Sequence, residues 1–160
     1  MITIRPAQLA DDAALVAADD ATWSTLTTPA PPPESPRSHF ARMPVEDVIV
    51  GELDGRVVGY VVLRNEFGDA PSHRHVLDLN GLAVHPDAAG HGIGGQLVEA
   101  AVAEAARRGA RKVTLRVLGH NDRARRLYKR CGFIEEGVLR EEFLLDGAYV
   151  DDVRMARFVD

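Results

Sequence analysis

The sequence contains a single cysteine, Cys131, among its 160 residues, so no disulfide can form within the chain. Cysteine-poor sequences are typical of reducing compartments. The first residues do not combine a basic segment with an apolar run, as a secretory signal peptide does, and no 18 consecutive residues are apolar enough to span a membrane. We therefore expect a cytoplasmic protein with no membrane partner.

The chain also lacks an excess of basic residues, because 19 Lys and Arg stand against 24 Asp and Glu, a formal net charge of −5. Proteins that bind nucleic acid normally show a basic balance, so we expect no nucleic-acid partner. Hydrophobic residues make up 46% and charged residues 27% of the sequence, which is typical of a globular rather than a disordered chain. The length suits one domain, and we expect residues 1–160 to share a single core.

Hydrophobic patterning predicts a mixed sheet with helices. Two Asp-Gly pairs, Asp54-Gly55 and Asp146-Gly147, each predict a two-residue hairpin turn. The strand–helix–strand order over residues 76–117 predicts one parallel pair in a largely antiparallel sheet. The fold class is therefore α/β or α+β, one layer of sheet with helices on both faces. Strands are predicted over residues 2–5, 48–53, 57–63, 76–84, 112–117, 133–145 and 149–158. Helices are predicted over residues 13–18, 38–42, 95–108 and 121–131, with a proline-rich loop over residues 24–38.

A glycine-rich turn between a strand and a helix is the strongest chemical signal. Four of the six residues from Gly90 to Gly95 are glycines. Glycine lets the backbone approach a ligand closely, and a helix start offers unpaired N–H groups at the positive end of the helix dipole. The turn therefore predicts a site for phosphate or pyrophosphate, although glycines can also serve only the sterics of a tight turn.

Two phosphate-binding motifs fit this turn poorly. A Walker loop requires Lys and then Ser or Thr after its last glycine, whereas Gln96 and Leu97 follow here. Gly90, Gly92 and Gly95 match the dinucleotide pattern G-x-G-x-x-G, but that motif also needs an acidic residue roughly 20 positions later. No Asp or Glu occurs between Glu104 and Asp122. We reject the Walker loop and consider a dinucleotide site very weakly supported.

The helix predicted over residues 121–131 provides a second motif. Asn121 is placed to cap this helix, and Gly132 to end it. A buried stripe is indicated by the spacing of Ala124, Leu127, Tyr128 and Cys131, so spacing alone favours a core role for Tyr128 and for the Cys131 thiol. The basic residues of the helix suit a solvated face, and they also suit the 3′-phosphate of a coenzyme. These basic residues are Arg123, Arg125, Arg126, Lys129 and Arg130.

Together the segments HPDAAGHGIGGQL and NDRARRLYKRCGF resemble the two signature regions of the GNAT superfamily of acetyl-CoA-dependent N-acetyltransferases. Their order and interval fit that superfamily, and the hairpin before them and the strands after them extend the resemblance over most of the chain. The resemblance implies acetyl-CoA as the cofactor, no metal, and a GNAT-like sheet with a splayed central strand. It also makes a homodimer a candidate assembly, since dimers are common among similar proteins.

The resemblance assigns roles to individual residues. Backbone groups at Leu82 and Val84 would pair with the pantetheine arm, and Tyr128 would point at the thioester sulfur. A phenol within hydrogen-bond reach can protonate a leaving thiolate. A strand amide near Leu82 can stabilise the oxyanion of acyl transfer. The implied cofactor-binding residues are Leu82, Ala83, Val84, Ala89, Gly90, His91, Gly92, Ile93, Gly94, Gly95, Asn121, Ala124, Arg126 and Tyr128.

One position departs from the superfamily pattern, because Ala89 stands where members usually carry Gln or Arg. The alanine removes a side-chain contact to phosphate but keeps every backbone donor. We expect weaker or differently held coenzyme A, with compensation from His91 or from Arg123 and Arg126.

A general base must take a proton from the amine, and an acidic residue or a histidine usually does so. Asp78 on the central predicted strand is the first candidate, followed by His75, His85 and His120. Each candidate also has a non-catalytic explanation. Asp78 can face solvent or cap a bulge, and a lone histidine is more often structural or exposed.

The acceptor pocket is expected from segments outside the cofactor motifs, with Trp23, Phe40, Phe143 and Tyr149 as candidates. The closing segment FLLDGAYVDDVRMARF is similar to members that act on small amines, amino acids among them, and to relatives that act on protein N-termini. We expect a free amino acid or a similar small amine as the acceptor. The alternatives are a protein N-terminal acetyltransferase and a non-catalytic module that senses acetyl-CoA.

Overall fold

A computed structural model describes residues 1–35 and 37–159 of the chain. One sheet of seven strands runs through these residues, with three α-helices packed on it. The strands are β1 (Ile2–Pro6), β2 (Val48–Leu53), β3 (Arg56–Arg64), β4 (Val76–Val84), β5 (Lys112–Leu118), β6 (Ile134–Leu145) and β7 (Ala148–Phe158). The helices are α1 (Asp12–Thr22), α2 (Ile93–Arg107) and α3 (Asp122–Arg130).

The strand order is β1-β2-β3-β4-β5-β7-β6, and β4–β5 is the parallel pair among antiparallel neighbours. This arrangement confirms the predicted mixed sheet and its parallel pair. The two Asp-Gly turns also form as predicted, with φ of 50° at Asp54, 80° at Gly55, 51° at Asp146 and 77° at Gly147. Positive φ at both central residues is the type I′ geometry that matches the twist of a hairpin.

The parallel strands β4 and β5 separate part-way along their length. Their pairing begins at Val76 opposite Lys112 and ends at Leu79 opposite Leu115. Directly after that point β4 bulges, because Asn80 and Gly81 together face only Val62 on β3. A bulge bends its strand and strengthens the local twist. Beyond Leu79, no strand of residues 1–35 and 37–159 pairs with the edge of β4 that faces β5, which is the predicted splay.

The two faces of the sheet carry separate cores. On one face, α2 and α3 pack on a large cluster that contains Leu79, Leu97, Leu115 and Tyr128. On the other face, α1 packs on a smaller cluster around Leu15. Because side chains alternate along a strand, the neighbours of Leu79 and Leu115 point toward the second face. Within the described residues, no helix is long and apolar enough to cross a membrane.

The helix predicted over residues 38–42 is wrong, because residues 40–42 form only a turn. The Asp12 carboxylate at the start of α1 accepts hydrogen bonds from the Ser38 hydroxyl and the Phe40 N–H, each at 2.9 Å. These bonds hold the segment against α1 as an isolated turn. The predicted loop over residues 24–38 forms, except that Pro36 lies outside the described residues. The helix predicted from Gly95 begins two residues earlier, at Ile93.

Candidate functional site

The glycine turn, residues 90–95, joins the end of β4 to α2. Gly90 and Gly92 have φ of 83° and 76°, a conformation that residues with a side chain rarely adopt. Apart from the chain neighbours, no atom of the described residues lies within 4 Å of the position that a Cβ would take at either residue, so backbone conformation rather than space requires glycine there. Gly92 is the N-cap of α2, and its left-handed conformation turns the chain into the helix.

The turn offers a set of unused hydrogen-bond donors. Within residues 1–35 and 37–159, no acceptor pairs with the N–H groups of residues 90–95, and the first bond of α2 runs from the Gln96 N–H to the Gly92 carbonyl. Such N–H groups at the positive end of a helix dipole form an anion site. The arrangement fits the pyrophosphate of a coenzyme, which the residues of this turn would bind through their backbone.

Ala89, just before the glycine turn, and His91, within it, are the two positions where a side chain could assist phosphate binding. Ala89 is exposed and, as the sequence predicts, contributes no polar side-chain atom. The Nδ1 of His91 lies 3.1 Å from the Ala88 carbonyl oxygen and 3.2 Å from that of Ala89. Since a carbonyl only accepts, His91 carries its proton on Nδ1 when it is neutral, and Nε2 remains an acceptor. A neutral His91 therefore cannot donate to a phosphate from Nε2, and compensation for Ala89 by this residue requires the protonated ring.

Helix α3 contacts α2, the helix that begins at the glycine turn. The Asn121 side chain accepts a hydrogen bond from the Ala124 N–H at 3.2 Å, so the predicted helix cap is confirmed. The Leu127 side chain lies against Gly94 and Gly95, where a Cβ would come within 3.5 and 3.8 Å of its methyl groups. These are ordinary van der Waals distances, so the contact between α2 and α3 does not itself require glycine at either position. Arg126 is exposed on the outer surface of α3.

Tyr128 points from α3 into the large core and is only 9% exposed. Its ring meets the Phe133 ring edge-on, with 6.0 Å between centroids. Burial, with a smaller contribution from the Cys131 thiol, raises the pKa of Tyr128 to about 12. The phenol is therefore protonated at neutral pH and can act as a proton donor. Cys131 lies in the same core, as its spacing predicts.

On the opposite face of the sheet, a polar cavity of about 280 Å³ opens where β4 and β5 begin to separate. Asp78 is opposite Thr114 one position before the last pair, and Asn80 and Arg116 are the first residues beyond it. The Thr114 hydroxyl donates to Asp78 Oδ1 at 2.8 Å. Burial raises the pKa of Asp78, against the lowering effect of that hydrogen bond, and the charge of Glu66 raises it further. The cavity is lined by Arg64, Asn65, Glu66, Asp78, Asn80 and Arg116.

Tyr128 and Asp78 thus belong to different faces of the sheet. Tyr128 shares the α2–α3 core with Leu79, whereas Asp78, the neighbour of Leu79 in β4, points the other way. The pairing of β4 with β5 ends at Leu79, so the sheet opens between its two faces beyond that residue. A proton donor and a proton acceptor on opposite sides of such an opening can serve a transfer reaction whose two substrates enter from different faces.

The predicted acceptor residues do not line this cavity. The Trp23 indole N–H donates to the Ala30 carbonyl at 3.1 Å, and Phe40 packs against the core under α1. Phe143 is half-buried in β6, and Tyr149 is 67% exposed at the start of β7. Their role in acceptor binding stays a prediction.

The three alternative histidines also lie outside the cavity lining. The His85 Nδ1 accepts from the Asp87 N–H at 3.2 Å, and His120 Nε2 lies 3.0 Å from the Thr25 carbonyl. His75 is exposed at the start of β4. Of the four candidate bases, Asp78 alone lines the cavity.

Sequence reasoning missed the polar residues that surround Asp78. Arg64 ends the apolar run of β3, Asn80 follows two residues after Asp78 in β4, and Arg116 follows two residues after Thr114 in β5. Polar residues at alternate positions of a strand indicate that one of its faces does not pack in a core. This pattern was the signal that could have identified the polar residues.

A profile described as the Acetyltransferase (GNAT) family matches residues 15–133. The chain belongs to the GNAT family of acetyltransferases. The match includes β4, the glycine turn, α2, β5 and α3, which are the elements that form the site.

Individual relatives cover less of the chain. An uncharacterised N-acetyltransferase, YhfO of Bacillus subtilis (strain 168), is 35% identical over 89 residues, which are 56% of this chain and 59% of that protein. The spermidine N(1)-acetyltransferase of Vibrio cholerae serotype O1 is 50% identical over 44 residues, 28% of this chain and 25% of that protein. The matched part is under two thirds of the length of each relative.

Solved structures share the fold over nearly the whole chain. The protein smu.2055 from Streptococcus mutans UA159 is 29% identical, with a TM-score of 0.88 and 99% of each chain covered. A GNAT superfamily phosphinothricin acetyltransferase from Sinorhizobium meliloti, solved in complex with acetyl-CoA, is 21% identical with a TM-score of 0.81, and the match covers 99% of this chain and 88% of that one. At 21% identity, the likeness between this chain and the Sinorhizobium meliloti enzyme concerns the fold alone.

Proposed function

We propose that this protein transfers the acetyl group of acetyl-CoA to the nitrogen of a primary amine, with residues 1–160 acting as one transferase domain. The single observation that carries the proposal is the run of unpaired N–H groups over residues 90–95, at the start of α2 beside the opening between β4 and β5. Membership of the GNAT family supports the same activity.

The opened sheet supports the proposed binding of the coenzyme. Leu82, Ala83 and Val84 follow the point where β4 loses β5, so one edge of this segment is available to hydrogen-bond a pantetheine arm. The glycine turn would bind the pyrophosphate, with Ile93 in its first helical position, and Asn121 and Ala124 would line the other side. Arg126 would meet the 3′-phosphate from the outer surface of α3.

Acetyl-CoA supplies the acetyl thioester when it is bound. Tyr128 would donate its hydroxyl proton to the sulfur that leaves. Its phenol is protonated at neutral pH, as an unshifted tyrosine also is, and the raised pKa makes it a weaker acid. Asp78 would take the proton that the amine loses as its nitrogen forms the new bond. A carboxyl whose pKa is raised by burial is a stronger base than an exposed one, which suits this role.

For the acceptor, we propose a free amino acid or a similar small amine. The cavity of about 280 Å³ and its polar lining support a small, polar acceptor. One relative, the spermidine N(1)-acetyltransferase, is named for a small amine. Acetylation of protein N-termini and acetyl-CoA sensing without turnover remain the alternatives, and the first experiment separates them.

We further propose a cytoplasmic homodimer. Edge strand β6 exposes Val138, Leu139 and Leu144, and β7 exposes Tyr149 beside them. Exposed apolar residues grouped on an edge strand support association with a second copy. Light scattering coupled to size-exclusion chromatography would test the assembly, and a monomeric mass would refute it.

The first experiment measures acetyl-CoA binding by calorimetry and then thiol release across a panel of amino acids, polyamines and peptides. Binding followed by release with a small amine supports the enzyme. Release with peptides alone would favour the N-terminal acetyltransferase, and binding with no release under any condition would favour the sensor. Absence of acetyl-CoA binding would refute the proposed function.

A further inference from the structure

The charges around the polar cavity are unequally neutralised. Arg116 forms an ion pair with the buried Asp152, with 2.5 Å between Nη2 and Oδ2. Glu66 lies 3.7 Å from the Arg154 guanidinium at the surface. These two charged residues of the lining therefore already have partners of opposite sign.

Arg64 and Asp78 do not. In the described part of the chain, no carboxylate lies within 4 Å of the Arg64 guanidinium, and its side-chain hydrogen bond runs from Nη1 to the Met43 sulfur at 3.5 Å. Asp78 likewise has no cation within 4 Å there, and its one side-chain partner is the neutral Thr114 hydroxyl. Both residues are half-buried, and both line the cavity. A half-buried charge without a partner is costly, unless a ligand supplies the opposite charge.

The two uncompensated charges are neighbours. Arg64 on β3 stands directly opposite Asp78 on β4, and opposed residues of an antiparallel pair have Cα atoms about 4.5–5.5 Å apart. The short Asp78 side chain remains near the strand, and the long Arg64 side chain can extend farther over the cavity. A ligand whose ammonium and carboxylate groups are attached to the same carbon or to adjacent carbons matches one positive and one negative group at this spacing.

We propose that the acceptor is an amine that also carries a carboxylate, with Arg64 binding the carboxylate and Asp78 facing the amine. This inference rests on the proposed acetyl transfer and adds the residue that selects the acceptor. Arg64 acts through a charge-assisted, two-point contact that a guanidinium makes well with a carboxylate. The same guanidinium repels polyamines, and it leaves a neutral peptide N-terminus without its second contact.

The test compares L-amino acids with their carboxamides as acceptors in the acetyl-CoA thiol-release assay. A carboxamide keeps the shape and removes the negative charge, and it also stands for a peptide N-terminus. Its amine is less basic than that of the free amino acid, so more of it is unprotonated, and protonation cannot explain a weaker reaction. Spermidine is the polyamine arm. Arg64→Gln and Arg64→Lys are compared with Arg56→Gln, an exposed arginine at the far end of β3.

We expect the native protein to prefer an amino acid over its carboxamide by about 10- to 100-fold in kcat/KM, as a charged hydrogen-bonded contact allows. Arg64→Gln should remove that preference through a higher KM for the amino acid, Arg64→Lys should restore part of it, and Arg56→Gln should keep it. A native enzyme that acetylates carboxamides or spermidine as well as amino acids would overturn the proposal.

The remaining outcomes are also decisive. Equal losses for both acceptor classes in Arg64→Gln would overturn the role of Arg64. Binding of acetyl-CoA with no transfer to any amino acid would overturn the acceptor class while leaving acetyl-CoA recognition intact. Failure of the native protein to bind acetyl-CoA in calorimetry would instead refute the proposed function itself, so the two failures are distinguishable.

Discussion

The Thr114 hydroxyl donates a hydrogen bond to Asp78 Oδ1 at 2.8 Å, across the parallel pair in which the two residues stand opposite each other. This bond favours the ionised form of Asp78, whereas burial and the nearby Glu66 favour the protonated form. The charges of Arg154 and Arg116 add smaller contributions toward ionisation. The protonation state of the proposed base therefore depends on a residue 36 positions away in the sequence.

Removing this hydroxyl should shift the pH dependence of the reaction. Thr114→Val removes the bond that stabilises the ionised carboxylate, so the pKa of Asp78 should rise. Because the base acts in its ionised form, the acidic limb of kcat/KM should move to higher pH. Thr114→Ser, which keeps a hydroxyl, is the control and should leave the limb in place. A Thr114→Val profile that coincides with the native one would exclude Asp78 as the base.

The same carboxyl should lower stability at neutral pH. Its folded-state pKa is raised above the unfolded value, so the unfavourable effect is absent below the unfolded pKa and grows as pH rises through the folded pKa. Asp78→Asn should therefore be more stable than the native protein at pH 7, with a difference that vanishes toward pH 3, measured by denaturant unfolding. A difference independent of pH would contradict the linkage.

Gly92→Glu should abolish coenzyme binding without unfolding the protein. The substitution adds strain of about 1–2 kcal/mol at a positive φ, and it places a negative charge against the proposed pyrophosphate site. We expect acetyl-CoA affinity to fall by about 100-fold or more in calorimetry.

Gly109→Glu is the matched control for that substitution. Gly109 follows the other end of α2 and has φ of 84°. Apart from its chain neighbours, no atom in the described part of the chain lies within 4 Å of where its Cβ would be. The control should show similar destabilisation with native affinity. Equal losses of affinity in both variants would mean that strain, not charge at the turn, weakens binding.

Tyr128→Phe should separate catalysis from packing. The ring keeps its edge contact with Phe133, and no side-chain hydrogen bond contributes to the pKa shift of the hydroxyl. Stability should therefore change by less than about 1 kcal/mol. Loss of the proton donor should lower kcat by about 100-fold or more, measured at saturating acetyl-CoA. A variant with native kcat would show that Tyr128 is only a core residue.

Asn121→Ala should weaken α3 at its first turn. The lost cap to the Ala124 N–H should lower the free energy of unfolding by about 1 kcal/mol. Because α3 lines the proposed coenzyme site, KM for acetyl-CoA should rise as well. Asn121→Asp retains an acceptor at the cap and should recover most of the lost stability; if it does not, the cap is not the source of the effect.

Local signals account for the parts of the fold that were predicted. The Asp-Gly pairs specify their hairpins because each turn needs two residues at positive φ, a property of those residues alone. The glycine turn and the Asn121 cap are equally local, since each depends on a few consecutive residues. The turn at residues 40–42 was mistaken for a helix because its conformation depends on Asp12, far away in the chain.

The polar cavity around Asp78 could not be predicted in the same way. Arg64, Asp78 and Arg116 come from three strands, and their meeting depends on strand order and register. A register change of one residue on any of these strands would turn its polar side chain to the other face. Asp78 was identified from its position on the central strand, but its partners required the assembled sheet.

In the proposed function the coenzyme and the acceptor use opposite faces of the sheet where β4 and β5 separate, and this has a consequence for how such a chain can diversify. The proposed coenzyme side depends largely on the backbone N–H groups of the glycine turn, which most side-chain replacements elsewhere leave in place. The acceptor side depends on a few side chains that point away from that packing, among them Arg64 and Asn80. Replacing those side chains can change which amine the protein accepts, while the backbone that would bind the coenzyme stays unchanged.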